Sequence, residues 1–187
     1  MRAAVFLDRD GVIIENRPDY VKSWSEVRFL PGAPTAMKRL AASPWAIVIV
    51  SNQAVVGRGL LDEEVAWQLQ RQIVAEIVAR GGRIDASYLC PHHPQAGCDC
   101  RKPAPGMLRQ AAADLDLDLG RSWLIGDALS DLEAARAAGA RGVLVRTGRG
   151  AEQQALASQS TGSLGLVVAD LAAAVERILN SCGENAA

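Results

Sequence analysis

Aromatic side chains are scarce, at 4% of the 187 residues, so the interior has to be filled by aliphatic groups. Hydrophobic residues nevertheless reach 49% against 22% charged, a balance that excludes disorder as the main state and gives an Ala, Val, Leu and Ile core. Excess charge of either sign is also missing: twenty basic and twenty-one acidic side chains leave −1. Without a global positive field to recruit phosphodiesters or anionic lipid, neither a nucleic acid nor a membrane surface is expected as a partner. No apolar run approaches the roughly 18 to 20 residues of a membrane-spanning helix, and Trp45 to Val50 has only the length of a buried strand. The opening run Ala3 to Leu7 stops at Asp8 with no small-residue cleavage site behind it, which points away from a secretory leader and toward the cytoplasm. Disulfides are not expected there. Three of the four cysteines instead crowd between Cys90 and Cys100, beside the only two histidines, a clustering that reads as a metal site.

The length predicts one domain over residues 1–187. Short apolar runs at Ala3 to Leu7, Trp45 to Val50, Ile84 to Leu89, Ser122 to Ile125, Gly142 to Val145 and Leu166 to Val168 read as strands. Several are continuously apolar, as in a parallel sheet covered on both faces. Helical spacing fills the intervals at Ala33 to Ala42, Asp62 to Arg80, Gly106 to Leu115, Ser130 to Ala138 and Asp170 to Ser181. The clearest stripe is Val65, Leu69, Ile73 and Ile77; Gly81, Gly139 and Gly183 mark helix ends. Strict alternation gives an α/β, doubly wound, three-layer Rossmann-like fold with a parallel sheet. Residues 148–163 read as an irregular surface connection with one short helix, and Cys182 as a core thiol on the stripe of Leu171, Val175, Ile178 and Leu179.

In such a sheet, ligands bind outside the carboxyl ends of the strands. The polar groups that follow the strands are Asp8-Arg9-Asp10-Gly11, Ser51-Asn52-Gln53, Arg101-Lys102-Pro103, and Gly126-Asp127 with Asp131. Each type has a task in phosphoryl transfer. Residues two apart in an extended segment face the same way, so Asp8 and Asp10 both address one substrate atom while Gly11 turns the chain. Asp8 is the candidate nucleophile, and Asp10 the acid that protonates the leaving alkoxide and later deprotonates water. Two anions meet only if charge is neutralised, which asks for Mg²⁺ on Asp8 and Asp127. Ser51, Lys102 and Arg101 would bind phosphoryl oxygens. Asp131 is left as a helix cap or an orienting partner of Lys102. Around the cysteines, Cys90-x-His92 and Cys98-x-Cys100 offer four soft ligands, with His93 an alternative to His92. A full protein set implies structural Zn²⁺ bracing the loop 90–100 that delivers Arg101 and Lys102.

The order and spacing of these four groups resemble the motifs of the haloacid dehalogenase superfamily over almost the whole chain. Within it, Cys90-Pro91-His92-His93-Pro94, Cys98-Asp99-Cys100-Arg101-Lys102-Pro103, Pro105-Gly106-Met107-Leu108 and Leu144-Val145-Arg146-Thr147-Gly148 resemble the D-glycero-D-manno-heptose 1,7-bisphosphate 7-phosphatase family. The resemblance implies a bacterial cytosolic hydrolase that removes the 7-phosphate through an aspartyl-phosphate, in synthesis of the nucleotide-activated heptose of lipopolysaccharide. It implies Mg²⁺ on Asp8, Asp127 and the Asp10 carbonyl, a catalytic set of Asp8, Asp10, Ser51, Arg101 and Lys102, and zinc on Cys90, His92, Cys98 and Cys100. Forty residues between Asp10 and Ser51 leave no room for the separate cap domain common in the superfamily. Specificity would fall to loops, with Arg17, Tyr20, Asn52 and Gln53 as substrate contacts and a monomer expected. Only five residues separate His92 from Cys98, as in the histidinol-phosphate phosphatase branch, whereas Gly57-Arg58-Gly59 fits the heptose type. The competing class is a non-catalytic, zinc-stabilised binding module.

Overall fold

The computed structural model describes residues 1–158 and 165–181, so the helix stop at Gly183 and the core role of Cys182 lie outside the described residues. Six strands, β1 (Ala4–Leu7), β2 (Ala46–Asn52), β3 (Ala86–Cys90), β4 (Trp123–Gly126), β5 (Arg141–Val145) and β6 (Leu166–Val168), form one sheet in the order β3-β2-β1-β4-β5-β6. Every pairing is parallel, with Leu7 opposite Ile49 on one side and Ile125 on the other. Helices α1 (Ala33–Ala41), α2 (Ala54–Gly57), α3 (Glu63–Ala79), α4 (Gly106–Leu115), α5 (Leu129–Ala138), α6 (Gly150–Ser158) and α7 (Leu171–Ser181) fill the intervals.

Alternation along the strands divides the core in two. Val5, Leu7, Ile47 and Ile49 face Met37 and Leu40 of α1, Leu69 and Ile73 of α3, and Val175 and Ile178 of α7. Ala4, Phe6, Val48, Val50 and Leu124 face Met107 and Leu108 of α4 and Ala134 and Ala135 of α5. Both faces are therefore dry, which is why β1 and most of β2 could afford no polar residue. Truncating a wholly buried leucine here, such as Leu40, costs about 2–5 kcal/mol.

One residue of the expected stripe on α3 differs: Leu69, Ile73 and Ile77 are buried as expected, but Val65 is exposed, and Ala66 and Gln70 join the buried face. The helix starts at Glu63 and packs its Ala66 side inward, so a polar glutamine occupies a core position that an apolar count passes over. Among the described residues, the interval between β1 and β2 holds a looped segment, a 3₁₀ turn at Trp24–Glu26 and α1, and that between β2 and β3 holds α2 and α3. Among the described residues, no helix is long and apolar enough to cross a membrane.

Candidate active site

Sequence order reverses at β1: the chain moves outward through β2 and β3, then returns to the other side of β1 as β4. The carboxyl ends of β1 and β4 thus open side by side, the place where such sheets bind ligands. Asp8 leaves β1 with its backbone N–H on the Ile125 carbonyl at 2.9 Å. Asp127 leaves β4, and Asp131 stands in the first turn of α5. One carboxylate oxygen from each of Asp8, Asp127 and Asp131 lies within 4.8 Å of the others, although 118 residues separate the first two. All three are buried.

Lys102 supplies the opposing charge. Its ammonium is 2.9 Å from Asp8 Oδ1 and 2.6 Å from Asp131 Oδ1, and donates to the Val50 carbonyl at 2.9 Å. Burial would lower its pKa, but Asp131 and Asp8 outweigh burial and hold the ammonium charged above its usual range. Asp131 does both things expected of it, since its other oxygen accepts the Ala128 N–H at 3.1 Å. Burial is also the main reason that Asp8 is pushed up to about 6, with Asp131 and Asp10 adding to it and Lys102 opposing it. Asp127 is raised by burial and by Asp8, against the pull of Arg149. Asp8 and Asp127 are hard oxygen ligands held back from ionising by burial, which a divalent cation such as Mg²⁺ would relieve, so the donor set fits that ion.

Gly11 and Gly148 make this packing feasible. Gly11 turns with φ +85°, and a Cβ there would run into the Asp127 carboxylate; Gly148 lies beside it, where a Cβ would strike the same carboxylate and the Gly11 Cα. Thr147 locks the two loops together by donating to the Gly11 carbonyl at 2.7 Å.

A cleft of about 450 Å³ covers these groups, lined by Asp8, Asp10, Arg17, Tyr20, Asn52, Gln53, Arg101, Lys102 and Asp131 among others. Gln53 donates to Asp10 Oδ2 at 2.8 Å and to Ser51 Oγ at 2.7 Å. Ser51 itself is wholly buried and does not line the cleft. Asn52 is occupied with the Lys102 backbone, donating to its carbonyl at 3.0 Å and accepting its N–H at 3.1 Å. Arg17 reaches Asp19 at 3.4 Å and Glu26 at 3.9 Å on its own loop, and Tyr20 adopts a left-handed backbone with φ 66°. Arg101 keeps a buried Nη1 without a hydrogen-bond partner.

Two further residues belong to the site. Arg149 spans Asp127 with its backbone N–H at 2.9 Å and its guanidinium at 3.1 Å, and lines the cleft. Thr147 and Arg149 follow the fifth strand, so they carry the same strand-end signal as the other four polar groups. Arg9, inside the first motif yet unassigned, forks onto Asp10.

At the mouth, Cys90 Sγ lies 3.5 Å from His92 Nδ1 and 3.7 Å from Cys98 Sγ; Cys100 Sγ lies 3.2 Å from His92 Nδ1 and 3.6 Å from Cys98 Sγ. Zinc–sulfur bonds of about 2.3 Å arranged tetrahedrally give edges near 3.8 Å, so the four atoms fit Zn²⁺. His93 is outside this set; its Nδ1 accepts the Gln95 N–H at 3.2 Å, and it is half-buried, not the exposed neighbour its position suggests. The loop seats on α2 at Gly57, where a Cβ would strike the His92–His93 backbone. Arg101 and Lys102 follow directly from it and line the cleft, and the Lys102–Pro103 peptide is cis.

Residues 99–174 match the HAD-hydrolase-like family model. The chain is 39% identical over 175 residues to the D-glycero-beta-D-manno-heptose-1,7-bisphosphate 7-phosphatase of Bordetella bronchiseptica, covering 94% of this chain and 97% of that one. It is 40% identical over 184 residues to the protein of the same name from Photorhabdus laumondii, covering 94% and 96%. Among solved structures it matches the D,D-heptose 1,7-bisphosphate phosphatase of B. bronchiseptica complexed with magnesium and phosphate, with a TM-score of 0.88 at 39% identity over 97% of this chain and 99% of that one.

Proposed function

Because the chain belongs to the D-glycero-D-manno-heptose 1,7-bisphosphate 7-phosphatase family of HAD-like hydrolases, we propose that its cleft removes the 7-phosphate of that sugar bisphosphate, with Mg²⁺, in the cytoplasm. The observation that carries this is the meeting of Asp8, Asp127, Asp131 and Lys102 under a cleft that Asp10 also lines. Asp8, Asp127 and the Asp10 carbonyl would hold the Mg²⁺. When bound, the ion neutralises the charge that keeps a carboxylate and a phosphate apart.

A carboxylate oxygen of Asp8 forms a bond to phosphorus as the bond to the sugar's C7 oxygen breaks, and that oxygen takes the proton of Asp10. Lys102 follows the phosphoryl oxygens through the transfer, since its ammonium already rests on Asp8. Asp10, now a carboxylate, withdraws a proton from the water that attacks the aspartyl-phosphate; phosphate leaves and Asp8 is restored. Ser51 acts from beneath through Gln53, and Arg101 offers its unpaired guanidinium nitrogen to a substrate oxyanion. Arg17 and Tyr20 bound the sugar side. Cys90, His92, Cys98 and Cys100 would hold a structural Zn²⁺ that braces the loop and takes no part in the chemistry. The protein acts as a monomer.

Phosphorus NMR of heptose 1,7-bisphosphate with the protein and Mg²⁺ tests this. The C7 resonance is expected to disappear into inorganic phosphate while the anomeric one persists, and Asp8→Asn abolishes the change. Preference for histidinol phosphate by about tenfold or more, equivalent to 1.4 kcal/mol, would move the chain to that substrate. Background release from both, zinc notwithstanding, would leave a binding module.

A further inference from the structure

Arg9 is the largest side chain in the wholly buried set, at 1% exposure, and no step of the chemistry above uses its guanidinium. A buried guanidinium is costly unless its donors are matched. Here Nε donates to Asp10 Oδ2 at 3.0 Å, Nη2 donates to Asp10 Oδ1 at 3.1 Å while lying 2.9 Å from Oδ2, and Nη1 donates to Gln70 Oε1 at 3.4 Å. Gln70 is the polar residue that replaces an apolar one on the inner face of α3, also 1% exposed. Helix α3 therefore holds Arg9, and Arg9 holds Asp10 by a two-point fork that fixes the plane of the carboxyl as well as its place. Gln53 adds a third donor from β2's end, on Oδ2.

A carboxyl group offers about four acceptor positions, two on each oxygen. Oδ2 carries the Arg9 Nε and Gln53 bonds, while Oδ1 carries Arg9 Nη2 alone. Asp10 lines the cleft, and among the described residues Oδ1, with its one side-chain donor, is the oxygen that keeps an acceptor position for a substrate. The geometry points to Arg9 as a positioning residue for the known reaction: braced by Gln70, it locks the Asp10 carboxyl so that Oδ1 is the atom that exchanges the proton with the leaving oxygen. This rests on the reading of Asp10 as acid in the phosphatase reaction. Arg9 never touches substrate.

The signature of a misplaced acid is dependence on the leaving group. A sugar alkoxide needs the proton, whereas p-nitrophenolate leaves without it. The test is kcat/KM, which stops at phosphoryl transfer to Asp8, for heptose 1,7-bisphosphate and p-nitrophenyl phosphate on one preparation. Arg9→Met is expected to lose about 10²-fold or more on the sugar substrate and less than about threefold on the aryl ester. Arg9→Lys, keeping the charge and one donor, falls in between, and in an Asp10→Asn background Arg9→Met costs less than about threefold more. The ratio of the two substrates is independent of the folded fraction, and Arg9→Lys keeps the test alive should Arg9→Met not fold. Equal losses on both substrates, in whichever variant folds, or full additivity with Asp10→Asn, overturn the inference while leaving the phosphatase intact. Wild-type protein inactive on both substrates overturns the functional reading and the inference with it.

Discussion

Replacing Lys102 with methionine removes the positive charge that sits 2.9 Å from Asp8 and 2.6 Å from Asp131, in a setting where all three side chains are buried. Methionine keeps the volume of the stem and fills the same space, so the change is electrostatic. Leaving a buried charge uncompensated costs about 3–5 kcal/mol, and here two carboxylates are left without their counter-ion. The protein can lower that cost by protonating one of them. Asp8 already sits at about 6 with Lys102 present, and its pKa rises further without it. A group whose folded pKa is raised contributes stability at low pH that is lost as pH rises toward the folded value. The penalty of Lys102→Met in metal-free protein is therefore small at pH 5 and reaches about 3–5 kcal/mol near pH 8, or roughly 6–20 °C in melting temperature for a domain of this size. Urea unfolding at the two pH values in the presence of a chelator measures it. A loss below about 1 kcal/mol at pH 8, the size of an exposed ion pair, or a penalty equal at both pH values, would refute the reasoning. Turnover should fall by about 10²–10³-fold, the cost of one preorganised donor.

Wild-type protein without Mg²⁺ should itself lose stability from about pH 4 to 6 as Asp8 is forced to ionise, by on the order of 3 kcal/mol. Mg²⁺ competes with that proton, so its affinity by calorimetry should fall about tenfold per pH unit below 6; a pH-independent affinity would contradict this. Gly11→Ala should lower turnover by about 10²-fold or more through the displaced Asp127 carboxylate and weaken Mg²⁺ binding; an active variant with unchanged Mg²⁺ affinity would contradict the packing described. Purified protein should retain one zinc per chain through dialysis, and Cys98→Ser should release it and raise KM and lower kcat together, since the same loop delivers Arg101 and Lys102. Zinc-free protein with full activity would argue against that brace.

The fold was legible because the physical signals were redundant. Strands such as β1 and β2 are apolar at nearly every position, and a sheet coated on both faces permits little else. Where one residue had to decide, the signal was weaker: Val65 and Ala66 are adjacent and both apolar, and only the packing of α3 says which turns inward. The motifs were readable as residue types, and the rule about strand ends placed them at one edge. Their partners were not readable. Nothing in the spacing joins Gln70 to Arg9 across 61 positions, or says that Asn52 holds a backbone and that Ser51 lies beneath the cleft floor. Arg149 hid in a Gly- and Ser-rich stretch whose composition suggests surface, though its helix begins directly behind β5 and against Asp127.

Transfer of the phosphoryl group to Asp8 is the step on which the chemistry turns. Single-turnover reaction with heptose 1,7-bisphosphate labelled at the 7-phosphate, quenched in acid and digested, should leave the label on the peptide carrying Asp8, with Asp8→Asn unlabelled and slowed by about 10³-fold or more. Label on another residue, or near-normal turnover by Asp8→Asn, would contradict it.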